Sequence, residues 1–292
     1  MPDTSLNLAH YSINESQPST ILLIHGALSS PNEYSLVAPY LKDYHLLVPA
    51  LPYHSTASLT SFDSALVDSQ DPSTTQAISF TLSTVAALLA NLVRKHGKNH
   101  RAHIVGLSLG GHLAIYLAAR HPDICLDHTV FASGITLFNK WSNVQLKPVP
   151  CFLYLTSVLP ARLMPQWLYL RWISMTLDPA SPAYGESVGT PAGNMQLCRH
   201  ITETLARDQD VLPVKARTLI VAATKNGWMK FPDPIDDARF VVTRMKQGNE
   251  ESRGMQIKRG SHPWNVQLPS LFADAVKAWI EGTNLPDDIE DL

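Results

Sequence analysis

A serine can attack an acyl carbon if its backbone presents the hydroxyl and an imidazole takes its proton, and one serine of this chain sits in a pattern suited to that. Gly106-Leu107-Ser108-Leu109-Gly110 follows the apolar run Ala102 to Val105 and leads into the helical stretch Gly111 to Arg120, with Leu113, Ile115, Tyr116 and Leu117 as its apolar positions. A strand that breaks at such a turn forces the serine into a strained conformation, and small residues two positions to either side relieve the crowding. Ser108 is therefore the candidate nucleophile. The tetrahedral oxyanion formed by its attack needs donors already in place, each worth roughly 10²–10³ in rate in a dry site. His25-Gly26-Ala27 closes another apolar run, and a His-Gly pair there can aim the Ala27 N–H into the space where the oxyanion forms. Each pattern alone also fits an ordinary glycine turn, so the surrounding elements decide.

Those elements alternate. Ser19 to Ile24 and Tyr44 to Pro49 are aliphatic, β-branched runs that suit strands buried on both faces. Residues 6–13 predict a strand at the sheet edge, and Asn32 to Leu41 a short helix. The Ser-, Thr- and Pro-rich stretch from Ala50 to Asp71 predicts a surface loop. Thr75 to His96 carries Ile78, Leu82, Val85, Ala86, Leu89 and Val93 at spacings of three and four, with Gly97 as a stop. Asp127 to Gly134 predicts the strand after the Ser108 helix, and the alternation resumes at Thr218 to Ala223, a helix at 237–247, a strand at 254–258 and a closing helix at 268–280. Between them, residues 137–210 are aromatic-rich, helical in pieces (Phe152 to Leu159, Gln166 to Leu177) and broken by prolines. This pattern predicts an α/β fold with a mostly parallel central sheet, helices on both faces and a helical cap insertion. The core is then residues 1–136 and 211–292, and the cap 137–210. The acidic tail from Asp287 reads as frayed and solvated.

Composition narrows the function classes. The chain has 292 residues, 45% of them hydrophobic, 23 basic against 25 acidic side chains, and a formal net charge of −2. That balance lacks the basic footprint of a nucleic-acid binder. No run approaches the roughly 18 apolar residues of a membrane span, and the first residues lack the basic start and apolar core of a signal peptide. Three scattered cysteines, Cys125, Cys151 and Cys198, make neither a disulfide framework nor a zinc site, which points to a reducing, cytoplasmic setting. No phosphate loop, dinucleotide fingerprint or metal-spaced His/Cys set is present, so no cofactor is expected.

Taken together, His25-Gly26, Gly106-Leu107-Ser108-Leu109-Gly110 and a lone His262 after the last strand make the chain resemble the α/β-hydrolase superfamily from about Thr20 to Ile280. The resemblance implies Ser108 as nucleophile, His262 as general base, and the N–H groups of Ala27 and Leu109 as the oxyanion hole. Among the 12 histidines, only His262 falls in a loop that such a fold returns to Ser108. His103, His112 and His128 read as packing, helix or edge residues. The stretch from Gly260 to Ile280 also resembles small fungal biosynthetic-pathway hydrolases.

Two departures stand out. The resemblance calls for an acid after the strand Leu219 to Ala223, and the alignment puts Asn226 there. An amide oxygen can hold an imidazole but cannot offset its positive charge; in a serine protease the Asp-to-Asn exchange lowers kcat about 10⁴-fold. Asp233 in the following loop is the alternative acid, a weakened Ser108–His262–Asn226 triad is another solution, and a pocket that has left hydrolysis is a third. Ser133, at the equivalent position after the preceding strand, supplies no acid. Asp236 and Asp237 read as helix caps. In the loop after the second strand, Ala50 and Tyr53 stand where relatives often have Asp and Gly.

The expected function is a serine-dependent hydrolase or acyl-transfer enzyme acting on an ester, thioester or lactone of an apolar small molecule. The aromatics of the insertion suggest the apolar substrate, and Tyr53, Trp167 and Trp172, with His25, are the candidate pocket residues. A cyclase, lyase or isomerase using the same pocket, with His262 as proton shuttle, is the alternative. A ligand-binding receptor on the same scaffold is a minor one.

Overall fold

The computed structural model describes residues 8–54, 80–137, 143–165, 167–168, 193–207, 211–225 and 232–292. Eight strands form one sheet: β1 (His10–Ile13), β2 (Thr20–Ile24), β3 (His45–Pro49), β4 (Ala102–Leu107), β5 (Cys125–Ser133), β6 (Arg217–Ala223), β7 (Arg253–Ile257) and β8 (Glu290–Asp291), in the order β1-β3-β2-β4-β5-β6-β7-β8. The six inner strands run parallel, and the two edge strands, β1 on β3 and β8 on β7, run antiparallel. The chain leaves β2 toward β3 on one side and returns to β4 on the other. In an open α/β sheet the crevice beyond such a reversal of strand order is where ligands bind, and here it opens between the ends of β2 and β4.

Side-chain alternation builds a core on each face. Leu22 and Ile24 of β2, Leu47, Ile104, Val130, Ala132 and Ile220 meet the helices α1 (Leu82–His96), α2 (Leu109–Arg120) and α4 (Ile235–Gly248). Ile21 and Leu23, with Val48, Val105, Phe131, Leu219 and Val221, meet α5 (Pro269–Glu281) and the turns at 31–41. All five residues of β2 are buried, which is why the strand reads as a continuous apolar run rather than an alternating one.

Several local expectations are corrected. The helix predicted over 32–41 is two 3₁₀ turns, Pro31–Tyr34 and Ala38–Leu41, each with Pro in its first positions. α1 begins at Leu82, where the Thr81 hydroxyl caps the Thr84 N–H at 3.1 Å; residues 75–79 lie outside those described. The acidic tail is not frayed: Glu290 and Asp291 pair with Gln256 and Met255, and Ile289 is buried beneath them. Asp288, Glu290 and Asp291 face Arg259, Lys258 and Arg253, a strip of cations on β7 and the loop after it that a reading of the tail by itself does not see.

Between β5 and β6 lie short helical segments, Asn143–Leu146, Val149–Leu153, Tyr154–Val158 and Leu159–Leu163, and a longer helix, α3 (Met195–Arg207). Val158, Leu197, Ile201 and Leu205 join the same core as Leu28 and Phe80, and the Thr204 hydroxyl donates to the Phe80 carbonyl at 2.7 Å. α3 thus packs against Phe80, and its His200 ring against Tyr53 in the turn that follows β3.

Candidate active site

Ser108 follows the last residue of β4 and precedes the first of α2, with φ 57° and ψ −120°. A non-glycine residue holds such a conformation only where its surroundings over-determine it, and they do so here through glycine. A methyl on Gly106 would collide with the Gly110 carbonyl, and one on Gly110 with the Ile24 carbonyl, so the start of α2 lies directly on β4 and β2. The Ser108 N–H is held by the Ser133 carbonyl at 2.8 Å. Leu109 opens the helix, so its N–H has no carbonyl one turn earlier to bond within the helix.

The turn after β2 is held by side chains. Gly26 N–H donates to the Glu33 carboxyl (3.2 and 3.3 Å to its two oxygens), and Leu28 N–H to His54 Nε2 at 3.1 Å. Between these two engaged amides, Ala27 N–H has no acceptor among the described residues. A Cβ on Gly26 would lie 3.4 Å from Ser108 Cβ, so this turn borders the serine. His25 supports the turn: it is fully buried, its Nε2 accepts from Leu51 N–H at 3.1 Å, and its Nδ1–H therefore donates to the Gly26 carbonyl at 2.9 Å. His54 is fixed likewise, with Nδ1–H donating to the Pro52 carbonyl. Burial, then the neighbouring His54, hold the His25 pKa well below the usual imidazole value, and burial brings His54 down to about 4.

His262 lies in the loop between β7 and α5. Its Nδ1 is 2.6 Å from Asp233 Oδ1, and the Asp233 side chain is almost wholly buried. Asp233 is itself locked to the end of β6, with Oδ2 accepting from Ala223 N–H at 2.7 Å and its own N–H donating to the Ala223 carbonyl at 2.8 Å. Burial by itself lowers the His262 pKa; the Asp233 charge and hydrogen bond, with a further push from Glu33, outweigh it and hold the ring above the usual value. Nδ1 is taken, which leaves Nε2 to receive a proton. Gln267 fastens the loop, its Oε1 accepting from Ser261 N–H at 2.7 Å and from the Ser261 hydroxyl and its Nε2 donating to the Arg259 carbonyl. Trp264 Nε1–H donates to the Ser133 hydroxyl at 2.8 Å, which in turn donates to the Val221 carbonyl.

Imidazole and serine converge on Gly134, whose φ is +71°. A Cβ there would lie 2.8 Å from His262 Cε1 and 3.2 Å from the Ser108 nitrogen. Among the described residues no hydrogen bond joins the Ser108 hydroxyl to the ring; the tight contact of His262 is the one to Asp233.

The other expected site residues fall as follows. Asn226 and Trp172 lie outside the described residues. Trp167 is 68% exposed. Tyr53, with φ 65°, packs on the rings of Phe80 and His200; its left-handed backbone explains why glycine suits that position in relatives. Asp236 and Asp237 lie within the first turn of α4 rather than at its cap, Asp237 accepting from Leu137 N–H. Glu33 and Asn265 went unread in the sequence because their roles are bonds to backbone amides or side chains distant in the chain, and His54, which the sequence offers beside Tyr53 as a residue that reaches the substrate, is turned onto the Leu28 N–H instead. His112 is buried on α2, its pKa lowered to about 4 by burial.

A strained serine on a strand-to-helix turn, an acid-bound histidine returned by the last loop and a glycine turn beside them define a hydrolase-type site on a parallel α/β sheet. The chain belongs to the alpha/beta hydrolase family, whose sequence model matches residues 21–276. A relative described as an AB hydrolase superfamily protein, from Gibberella zeae, is 30% identical over 273 residues, covering 93% of this chain and 83% of its own. Among solved structures, E-2-(acetamidomethylene)succinate hydrolase superposes with a TM-score of 0.61 at 15% identity, covering 94% of this chain and 100% of that one. A thermophilic esterase from Thermogutta terrifontis gives 0.62 at 16% identity, covering 94% and 93%. At those identities the likeness is one of fold. The family makes the protein an enzyme of hydrolase type. No helix among the described residues is long and apolar enough to cross a membrane.

Proposed function

We propose that the protein is a serine hydrolase or acyl-transfer enzyme acting on an ester, thioester or lactone of an apolar small molecule. The observation that carries this reading is the 2.6 Å pair of Asp233 with His262, set against the same glycine as the Ser108 backbone. Asp233 fills the role left open by Asn226, and its carboxylate offsets the charge that the imidazole acquires.

In this reading His262 Nε2 takes the Ser108 hydroxyl proton as Oγ bonds to the substrate's acyl carbon. The carbonyl π pair moves onto oxygen, where the N–H groups of Ala27 and Leu109 receive it. The tetrahedral centre collapses, the bond to the leaving oxygen or sulfur breaks, and His262 returns the proton to that atom. Water or an acceptor alcohol, deprotonated by the same ring, then releases the acyl group and restores Ser108. The segments between β5 and β6 act as the cap, and the apolar side chains they bring beside Leu28 and Phe80 favour an apolar acyl or alcohol part. A fluorophosphonate probe tests this directly. Mass spectrometry is expected to find the adduct on Ser108, and Ser108→Ala to lose both labelling and turnover of p-nitrophenyl esters. Turnover that survives in the alanine variant overturns covalent catalysis.

A further inference from the structure

Glu33 is a carboxylic acid buried where the mechanism above has no use for one. It is 6% exposed. Its oxygens receive the Gly26 N–H, and Asn265, three residues beyond His262, donates its Nδ2–H to Glu33 Oε1 at 3.3 Å and to the Glu33 carbonyl at 3.4 Å. A Cβ on Gly26 would lie 3.7 Å from Glu33 Oε2 and 3.4 Å from Ser108 Cβ, so the carboxyl and the serine flank one glycine. The carboxyl thereby ties the turn after β2 to the segment that carries the imidazole, two pieces more than 230 residues apart in sequence.

The groups around it do not supply a lasting countercharge. Its own turn contributes the Tyr34 phenol, the loop before it the Ser29 hydroxyl, the β2 turn an amide, and the segment between β7 and α5 Asn265 and His262. Among the described residues no lysine or arginine is among the groups that act on it. Burial outweighs the hydrogen bonds from Ser29, Gly26 and Asn265 and the attraction of His262, and raises the Glu33 pKa to about 7. Asn265 Oδ1, buried without a hydrogen-bond partner among the described residues, is an acceptor for a carboxyl proton once the amide is turned over.

We propose that Glu33 is a positioning residue of this active site that works as a neutral acid, clamping the Gly26–Ala27 turn to the Asn265 segment and carrying a proton while the oxyanion forms beside it. The inference rests on the reading of Ser108 and Ala27 as catalytic. A carboxylate there would oppose the oxyanion: two unit charges about 7 Å apart at an effective dielectric of about 20 slow the step by about fifty-fold. The reactive form holds a neutral His262 and a protonated Glu33, which has the same proton count as an imidazolium facing a carboxylate, so the two groups titrate as a pair.

The test is the pH dependence of kcat on p-nitrophenyl acetate, corrected for spontaneous hydrolysis, in wild type, Glu33→Gln and Glu33→Ala. Glutamine keeps the shape and the acceptor for Gly26 N–H but cannot ionise. Wild-type kcat is expected to fall as pH rises through about 7, by up to about fifty-fold, and E33Q to show no such fall. E33A is expected to lose kcat at every pH with KM little changed, and E33Q to restore it. Superimposable wild-type and E33Q profiles overturn the proposal, as does an E33Q that is folded and inactive throughout. A wild type that hydrolyses no ester at any pH sinks the Ser108 reading instead, and Glu33 is then judged by nitrogen-15 NMR of the His262 ring. Two coupled midpoints in wild type and a single, lower one in E33Q support the clamp; identical titrations overturn it.

Discussion

Exchange of Asp233 for Asn tests the acid most sharply. The carboxylate lies 2.6 Å from His262 Nδ1 with its other oxygen on the Ala223 N–H, so Asn keeps the volume and removes the charge. In the transition state the ring is positive. With charge centres about 4 Å apart and an effective dielectric of about 20, the pair is worth about 4 kcal/mol, or about a thousand-fold in rate. The ring Nδ1–H also loses its acceptor if the new amide presents its NH₂, and the exchange in a serine protease cost about 10⁴. We therefore expect kcat on a p-nitrophenyl ester to fall by about 10³ to 10⁴ with KM little changed. Because Asp233 raises the His262 pKa, the acid limb of the pH–kcat/KM profile is expected to move to lower pH in the variant. Circular dichroism checks that the variant is folded. Asn226→Ala is expected to cost far less, since the single Nδ1–H is already given to Asp233. A D233N enzyme within tenfold of wild type, its acid limb unmoved, refutes Asp233 as the acid.

Other outcomes follow from the same geometry. Gly134→Ala places a methyl 2.8 Å from His262 Cε1 in a left-handed backbone; it is expected to cost about 1–2 kcal/mol of stability and, by displacing the ring, roughly 10²-fold in kcat, and a variant with wild-type kcat would show that the imidazole does not depend on this glycine. His45, His54, His103 and His112 are held at about 4, and His25 well below the usual imidazole value, chiefly by burial. The unfolded chain binds protons at these rings below pH about 6.5 and the folded one does not, so stability is full above that pH and falls between about 6.5 and 4, by at most about 1.4 kcal/mol per pH unit for each ring. His262 and Glu33, both raised rather than lowered, work in the opposite sense but are two groups against five. Urea melts at pH 7.5 and 5.0 measure the fall, and equal midpoints would show that these imidazoles are not held neutral.

Much of the molecule is legible in the chain itself. Buried parallel strands are read from runs such as Thr20 to Ile24, because burial on both faces leaves no polar alternation. The serine turn is read from Gly106, Ser108 and Gly110, because only glycine lets α2 lie so close to β4 and β2. His262 is read from its place after the last parallel strand, β7. All three are local signals, set by which side chains a given backbone admits, and with the order of elements they specify the fold class.

The partner of His262 is another matter. Asp233 is ten residues beyond Ala223, and nothing in its own neighbourhood distinguishes it from Asp236 or Asp237; what sets it apart is a two-way hydrogen bond back to Ala223, which exists only once the loop is closed. His25 shows the reverse, a residue whose type suggests chemistry but which burial and two backbone bonds commit to holding a turn. Glu33 looks like a surface carboxylate until the end of the chain brings Asn265 onto it. Short-range sterics and hydrophobic pattern act within a few residues and are written in sequence. Desolvation and pairing between distant groups arise only when the fold brings them together.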